Sequence, residues 1–438
     1  MSAQRTIHAY SAEVPRFWLP WWYRPSRLLL GATLPALLIF SFSDSTKTLS
    51  RAQLFFGSRD MVVGLIAIVC LVIGALIGES KMLSRFLDSL TRRNSTLQPP
   101  PRLGEALLSQ NFDRFLLAVF LVTHVIFFRN FITNPGLIAG VLGGDLELKH
   151  EFKTIPGVTT WTQISMLLAA IRGLRWAGIL PGQVKLISVF HLLFFATLFV
   201  RAILWSERLA LIEGVVPFFL CALPRLTTSM SSFGRIFIRF FPFIVPVLLL
   251  FVFTAFEYFR SWQYYAGQHS SVLEFGWLRL YTYYFEAMNT GAATLAGSGF
   301  YDGPTWPLST AGYNHIYDGL YLGALDVEYN NPSGIWYIAT YSGNVLFAPV
   351  CLFLGCWHGM AWRSFSMGRL FGLFFPISFL GLMEIIRISY WAGLNRVLPS
   401  TLFIIILLVW AASLKKRVRV YHEPAVEEPG LHHQRLSS

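Results

Sequence analysis

Apolar residues in this chain fall in long runs that polar positions scarcely interrupt. Met61–Ile77, MVVGLIAIVCLVIGALI, is one of them, and it shows none of the strict alternation that a membrane β-strand needs. Runs of roughly 17 to 22 such residues fit a helix crossing the hydrocarbon core of a bilayer. Without water there, only helices and closed barrels satisfy every backbone N–H and C=O. The runs predict spans near 28–43, 61–78, 113–131, 158–171, 184–204, 208–223, 240–258, 336–357, 370–387 and 400–414. The expected fold class is all-α, a polytopic integral membrane protein with about ten transmembrane helices. Span four follows Pro156 and Gly157 and carries Thr159, Thr160, Thr162 and Gln163 in its first turns, which also suits a helix lying at the interface.

Lys and Arg give the chain a direction. The first segment carries Arg5, Arg16, Arg24 and Arg27, the second loop Lys81, Arg85, Arg92, Arg93 and Arg102, and the tail Lys415, Lys416, Arg417 and Arg419. The positive-inside rule puts all three in the cytoplasm. An even number of spans then brings both termini to that side, together with the loops holding Arg172 and Arg175 and holding Arg225, Arg235 and Arg239. The formal charge of +12 reads as this topology plus attraction to anionic membrane lipids. Nucleic acid is not an expected partner, because the basic residues are scattered over many loops instead of forming one patch.

Composition, 54% hydrophobic and 13% charged, agrees with the run pattern. Cys70, Cys221, Cys351 and Cys356 all lie in or beside predicted spans, which fits packing better than disulfide or metal chemistry. Arg16 to Arg27 precede the first span and no A-x-A-like site follows it, so the first helix is expected to be an anchor and not a cleaved signal.

The chain therefore divides into helices 1 to 7 with short loops (1–258), a large outer loop (259–335), helices 8 to 10 (336–414) and a tail (415–438). Long loops are usually functional or disordered. This one is too rich in Tyr and Trp for disorder, and Trp277 to Leu295 has helical character that suits a re-entrant element shielded by protein. Aromatic rings set among Asn and Asp suit either carbohydrate or an interfacial aromatic belt.

Charges at membrane depth need a partner or a use. Arg201, Glu207 and Arg208 cluster where span five turns into span six, and Glu213 follows. These form either a locked helical turn or a cationic phosphate site. Arg387 lies three residues after Glu384, the spacing of a local ion pair. Arg260 after Glu257 reads as structural, whereas Arg279, with Glu286 as its nearby acid, reads as a ligand group.

Four segments, KTIPGVTTWTQ (153–163), RAILWSERLALIE (201–213), LRLYTYYFEAMNTGA (278–292) and EYNNPSGIWYIATYSGN (328–344), in this order around a large outer loop, resemble the Wzy-type oligosaccharide repeat-unit polymerases of bacteria. The resemblance covers roughly residues 150–360. It implies a glycosyltransferase of the inner membrane. Such an enzyme moves a growing glycan from undecaprenyl diphosphate to a fresh lipid-linked repeat unit at the periplasmic face, alongside a chain-length-determining co-polymerase and a flippase. No cofactor is expected and no metal, since no His/Asp/Glu set has ligand spacing.

Charge developing on the departing diphosphate calls for Arg side chains at the outer face, and Arg201, Arg208, Arg279 and Arg387 are the candidates. A general base for the attacking hydroxyl is sought among His315, Asp318, Glu328 and Glu384, and glycan contacts among Tyr283, Tyr284, Asn289, Asn330 and Asn331. Direct displacement with inversion is expected. An O-antigen ligase uses the same donor and stays an alternative, as does a polysaccharide transporter or flippase, although no repeated half is found. A scaffold subunit of an export machine would not need Arg clusters beside a folded outer loop.

Overall fold

The computed structural model describes residues 19–42, 52–81, 107, 109–142, 148, 155, 157–204, 208–260, 262–321, 323–325, 334–388, 390 and 396–420. No β-strand occurs among them. The helices are α1 (Pro25–Ser41), α2 (Ser58–Glu79), α3 (Asn111–Phe127), α4 (Arg129–Thr133), α5 (Gly136–Leu142), α6 (Ser165–Trp176), α7 (Val189–Leu204) and α8 (Arg208–Ser229). There follow α9 (Ser232–Arg260), α10 (Trp262–Tyr265), α11 (Val272–Gly297), α12 (Thr310–Tyr321), α13 (Gly334–Ser366), α14 (Phe374–Met383) and α15 (Leu398–Val420). Short 3₁₀ turns, Thr159–Ile164 and Leu370–Leu373, lead into α6 and α14.

Four helices are long and apolar enough to cross a membrane: Ser58–Glu79, Leu209–Ser229, Ser232–Tyr258 and Gly334–Ser366. Pro25–Ser41, Val189–Leu204, Leu370–Met383 and Leu398–Ala411 are shorter and apolar. In α9 only 6% of the most apolar window is buried, and Phe240, Phe243, Val247, Leu248, Phe251 and Val252 are exposed. So large an apolar surface is a liability in water and a requirement in lipid. Predicted span four turns out to be a core helix, with every residue from Ser165 to Arg175 buried. The span predicted at 184–204 becomes helical only at Val189.

The tightest packing joins α2 and α13. A Cβ on Gly74 would overlap the carbonyl of Leu352, one on Gly78 that of Cys356, one on Gly355 that of Leu71 and one on Gly359 that of Ala75. Two small-xxx-small faces thus bring backbones into direct contact, the arrangement that replaces a hydrophobic driving force between helices in lipid. The helices run parallel, because Trp336 at the start of α13 donates its indole N–H to the carbonyl of Asp60 at the start of α2 (3.0 Å). After the first turns of α13 the helix is kinked at Gly343, which takes φ +65° against the backbone of Thr305 and Trp306, a conformation natural only to glycine.

Side-chain links at the helix termini sort the molecule into two ends. At one, Ser26 of α1 bonds Glu79 at the end of α2 (2.9 Å). There too Asp113 of α3 takes Arg175 of α6 (2.6 Å) and Arg172 (3.4 Å), and Trp22 donates to Ile238 in α9 (2.7 Å). Arg24 lies over Trp362 at the same end. It is the basic end.

The opposite end is crossed by α11. Along its length α11 meets the last turns of α9 (Glu257), the end of α1 (Phe40), Glu384 just past α14, the segment before α2 (Phe55, Phe56) and the first turns of α13 (Thr340). Its 26 residues span about 39 Å at 1.5 Å each. Residues Phe285 to Leu295 are buried throughout. The predicted helical stretch 277–295 is therefore a helix laid across the helix ends, and its polar residues are what tie it there.

Candidate functional site at the α11 end

The turn after α14 gathers the charges. Glu384 is 7% exposed and accepts the Tyr284 hydroxyl of α11 on both carboxylate oxygens, at 2.9 and 2.8 Å. Arg387, one turn on, brings Nη1 to 3.8 Å from the same carboxylate and sets its guanidinium 5.3 Å from the Tyr283 ring and 5.9 Å from that of Tyr284. Tyr284 is fixed from behind by Phe40, stacked at 4.9 Å with an interplanar angle of 4°. The buried Nε of Arg387 has no hydrogen-bond partner among the described residues. A buried cationic donor left unused is costly, and an anion is among the acceptors that would satisfy it.

A second carboxylate stands beside the first. Glu213, fully buried in the second turn of α8, accepts Tyr390 at 3.0 Å and Arg396 at 2.8 Å. Tyr390 feels the charge of both Glu213 and Glu384; burial first, then Glu213, pushes its hydroxyl well above the usual phenol range. It therefore stays a hydrogen-bond donor at any physiological pH. The connection between α14 and α15 thus carries two arginines and two carboxylate partnerships, with Arg396 about one-third exposed (32%). Two arginines and Glu384 on one short connection, with Glu213 of α8 against it, supply groups that can bind an anion and accept a proton.

The other predicted residues fall elsewhere. Arg279 is ion-paired with Glu257 (3.1 Å), both nearly inaccessible. It meets an acid of α9, because the last turns of α9 lie directly against α11, with Thr254 meeting Gly276. That pair stitches α9 to α11. Glu257 was expected to serve Arg260, whose side chain lies outside the described residues.

Arg201 is 4% exposed, bonds Thr162 (2.8 Å) and covers Phe127 at 5.2 Å. It closes α7 on the turn before α6. Asn289 is 1% exposed. Its amide is spent on the backbone of Gln53, Phe55 and Phe56, at 2.7 to 3.1 Å, and on Glu286 at 3.2 Å; it holds the entry to α2 and faces away from solvent.

His315 and Asp318 stand on the exposed face of α12, whose Ile316 meets Gly297. Thirteen residues of α11 separate Tyr284 from Gly297, roughly 20 Å at 1.5 Å per residue. These two are not part of the Glu384 cluster. Glu328, Asn330, Asn331, Glu207 and the side chain of Arg208 lie outside the described residues.

Sequence reasoning missed Tyr390 and Arg396. Arg396 could have been noticed as a positive charge in a loop that charge counting assigns to the outer side, where Arg needs a reason. Tyr390 carries no such signal. Comparisons with protein-family models, with curated proteins and with solved structures each find no match.

Proposed function

We propose that this chain joins undecaprenyl-diphosphate-linked oligosaccharide repeat units into a surface polysaccharide at the periplasmic face of the bacterial inner membrane. In this reading ten helical segments cross the bilayer: α1, α2, α3, α6, α7, α8, α9, α13, α14 and α15. The basic end and both termini face the cytoplasm, and α11 lies at the periplasmic side.

One observation carries the reading. Arg387 is held against Glu384 and two tyrosines with a buried donor unused, which pairs an anion site with a proton acceptor. Polymerisation needs both. The acceptor sugar's hydroxyl attacks the donor's anomeric carbon, the new C–O bond forms as the bond to diphosphate breaks, and the diphosphate leaves with the electron pair. Arg387 stabilises the charge gained by the departing diphosphate. Glu384 takes the hydroxyl proton, while Tyr284, propped by Phe40, fixes the carboxylate's direction. One displacement inverts the anomeric configuration. Charge neutralised only in the transition state accelerates the step more than it tightens substrate binding.

The test is deletion of the gene followed by gel analysis of surface polysaccharide. The expected result is a single repeat unit where wild type gives a ladder, restored by wild type and not by Arg387→Ala expressed at equal level. Full-length polymer that is made but not attached, or not exported, would replace the proposal with a ligase or a transporter.

A further inference from the structure

At the far end of α11 lies a second aromatic assembly that the proposed chemistry does not use. Tyr313, Tyr317 and Tyr321 recur every fourth residue along α12 and so share one stripe. Tyr337 and Tyr341 on the first turns of α13 meet them. Ring centroids are 4.7 Å apart for Tyr313 and Tyr341 (interplanar 18°), 4.8 Å for Tyr313 and Tyr337, 4.6 Å for Tyr337 and Tyr341, and 6.1 and 6.2 Å along the α12 stripe.

The backbone around them is clamped. Leu308 N–H bonds the carbonyl of Tyr341 (2.9 Å). Asn344 and Thr305 exchange two hydrogen bonds of 2.9 Å, and the Asn344 amide also reaches the carbonyls of Phe300 (2.9 Å) and Gly303 (2.6 Å). Gly343 permits this close approach. Tyr313 is the buried keystone, Tyr321 is 38% exposed and Trp306 on the clamped strap is 66% exposed.

A cluster serving only as core would be better filled by phenylalanine, which buries no hydroxyl. Here all five rings carry one, and the exposed Asn314, His315 and Asp318 flank them on α12. An amide, an imidazole and a carboxylate beside the exposed Tyr321 and the half-buried Tyr317 match the two needs of a sugar, stacking of its C–H face and hydrogen bonds to its hydroxyls. We infer that the α12–α13 tyrosine platform is a carbohydrate-binding subsite for the glycan chain, roughly 20 Å along α11 from Glu384 and Arg387. The identity of the glycan rests on the polymerase reading; the existence of the subsite does not. His315 and Asp318 then act in binding.

The test uses full-length protein in detergent and, as probe, oligosaccharides released by mild acid from the source cell's own surface polysaccharide. Titration followed by calorimetry compares wild type, Tyr321→Ala, the pair Tyr317→Ala with Tyr321→Ala, and Arg387→Ala. Two lost stacking surfaces are expected to weaken binding about 5- to 100-fold, with Arg387→Ala close to wild type. In cells the paired variant should yield a shortened ladder. The exposed Tyr321→Ala alone, expected to weaken binding several-fold, guards against misfolding of the pair. Unchanged affinity in folded Tyr variants overturns the subsite even if the ladder depends on the gene. Weakened affinity combined with a ladder indifferent to gene deletion keeps the subsite and removes the polymerase reading.

Discussion

Replacing Glu384 by Gln should separate what this carboxylate does for the fold from what it does for chemistry. Tyr284 donates to it at 2.8 and 2.9 Å. A hydrogen bond to a charged group contributes about 1.5–3 kcal/mol and one between neutral groups about 0.5–1.5 kcal/mol, so loss of the charge alone removes about 1–1.5 kcal/mol. The Arg387 contact, at 3.8 Å with Arg387 23% exposed, adds under about 1 kcal/mol after screening. The folded state should therefore survive with a loss of about 1–2.5 kcal/mol. Polymer synthesis, by contrast, should fall about 10²- to 10⁴-fold if the carboxylate takes the proton.

The assay is thermal unfolding of purified protein in detergent run beside initial rates of polymer formation, for Glu384→Gln, Tyr284→Phe and the double variant. The two changes remove one shared interaction, so their stability losses should fall short of additive by about 1 kcal/mol. Strict additivity would show that Tyr284 does not bond Glu384. Wild-type rates in folded Glu384→Gln would show that this group is not the base.

Gly78→Leu in α2 should force the α2–α13 seam open. A gap of about 1 Å forfeits a quarter to a half of each contact of about 0.1–0.2 kcal/mol, so a seam of roughly 50–100 atom contacts loses about 1–10 kcal/mol, read as a lower unfolding midpoint or poor membrane accumulation. Asp113→Asn leaves Arg175 and Arg172 buried without their shared carboxylate and should lower stability by about 3–5 kcal/mol, seen in the same unfolding assay. Glu274 at the start of α11 is held below the usual carboxylate range by the Ser270 hydroxyl. A depressed folded-state value gives stability present above the free carboxylate range and lost as pH falls through the folded one, so amide protection in the first turn of α11, taken relative to the intrinsic exchange rate at each pH, should fall at acid pH and stay constant in Glu274→Gln.

The apolar runs made the four helices long and apolar enough to cross a membrane legible, because a bilayer demands about 20 uninterrupted apolar residues, and Glu384 with Arg387 was legible because one helical turn fixes their distance. α11 was harder to read. Arg279, Glu286 and Asn289 lower its hydropathy, and they are buried only because Glu257, 22 positions earlier, and the backbone of 53–56, more than 230 positions away, meet them. Tyr390 and Arg396 join the site through Glu213, 177 and 183 positions away, a closeness that no local pattern encodes. The glycine seam was written in GALIG and GCWHG, but each motif is silent about its partner until two helices are seen side by side. His315 lay in an inviting sequence context and belongs to another surface, since α12 packs at the far end of α11.

The most direct test of the central claim is polymerisation by the purified protein in vesicles supplied only with the undecaprenyl-diphosphate-linked repeat unit. Wild type should release undecaprenyl diphosphate and build a ladder with inverted linkages, while Arg387→Ala, equally folded, should do neither at a measurable rate. A ladder from Arg387→Ala at the wild-type rate, or retained anomeric configuration in the product, would contradict the account.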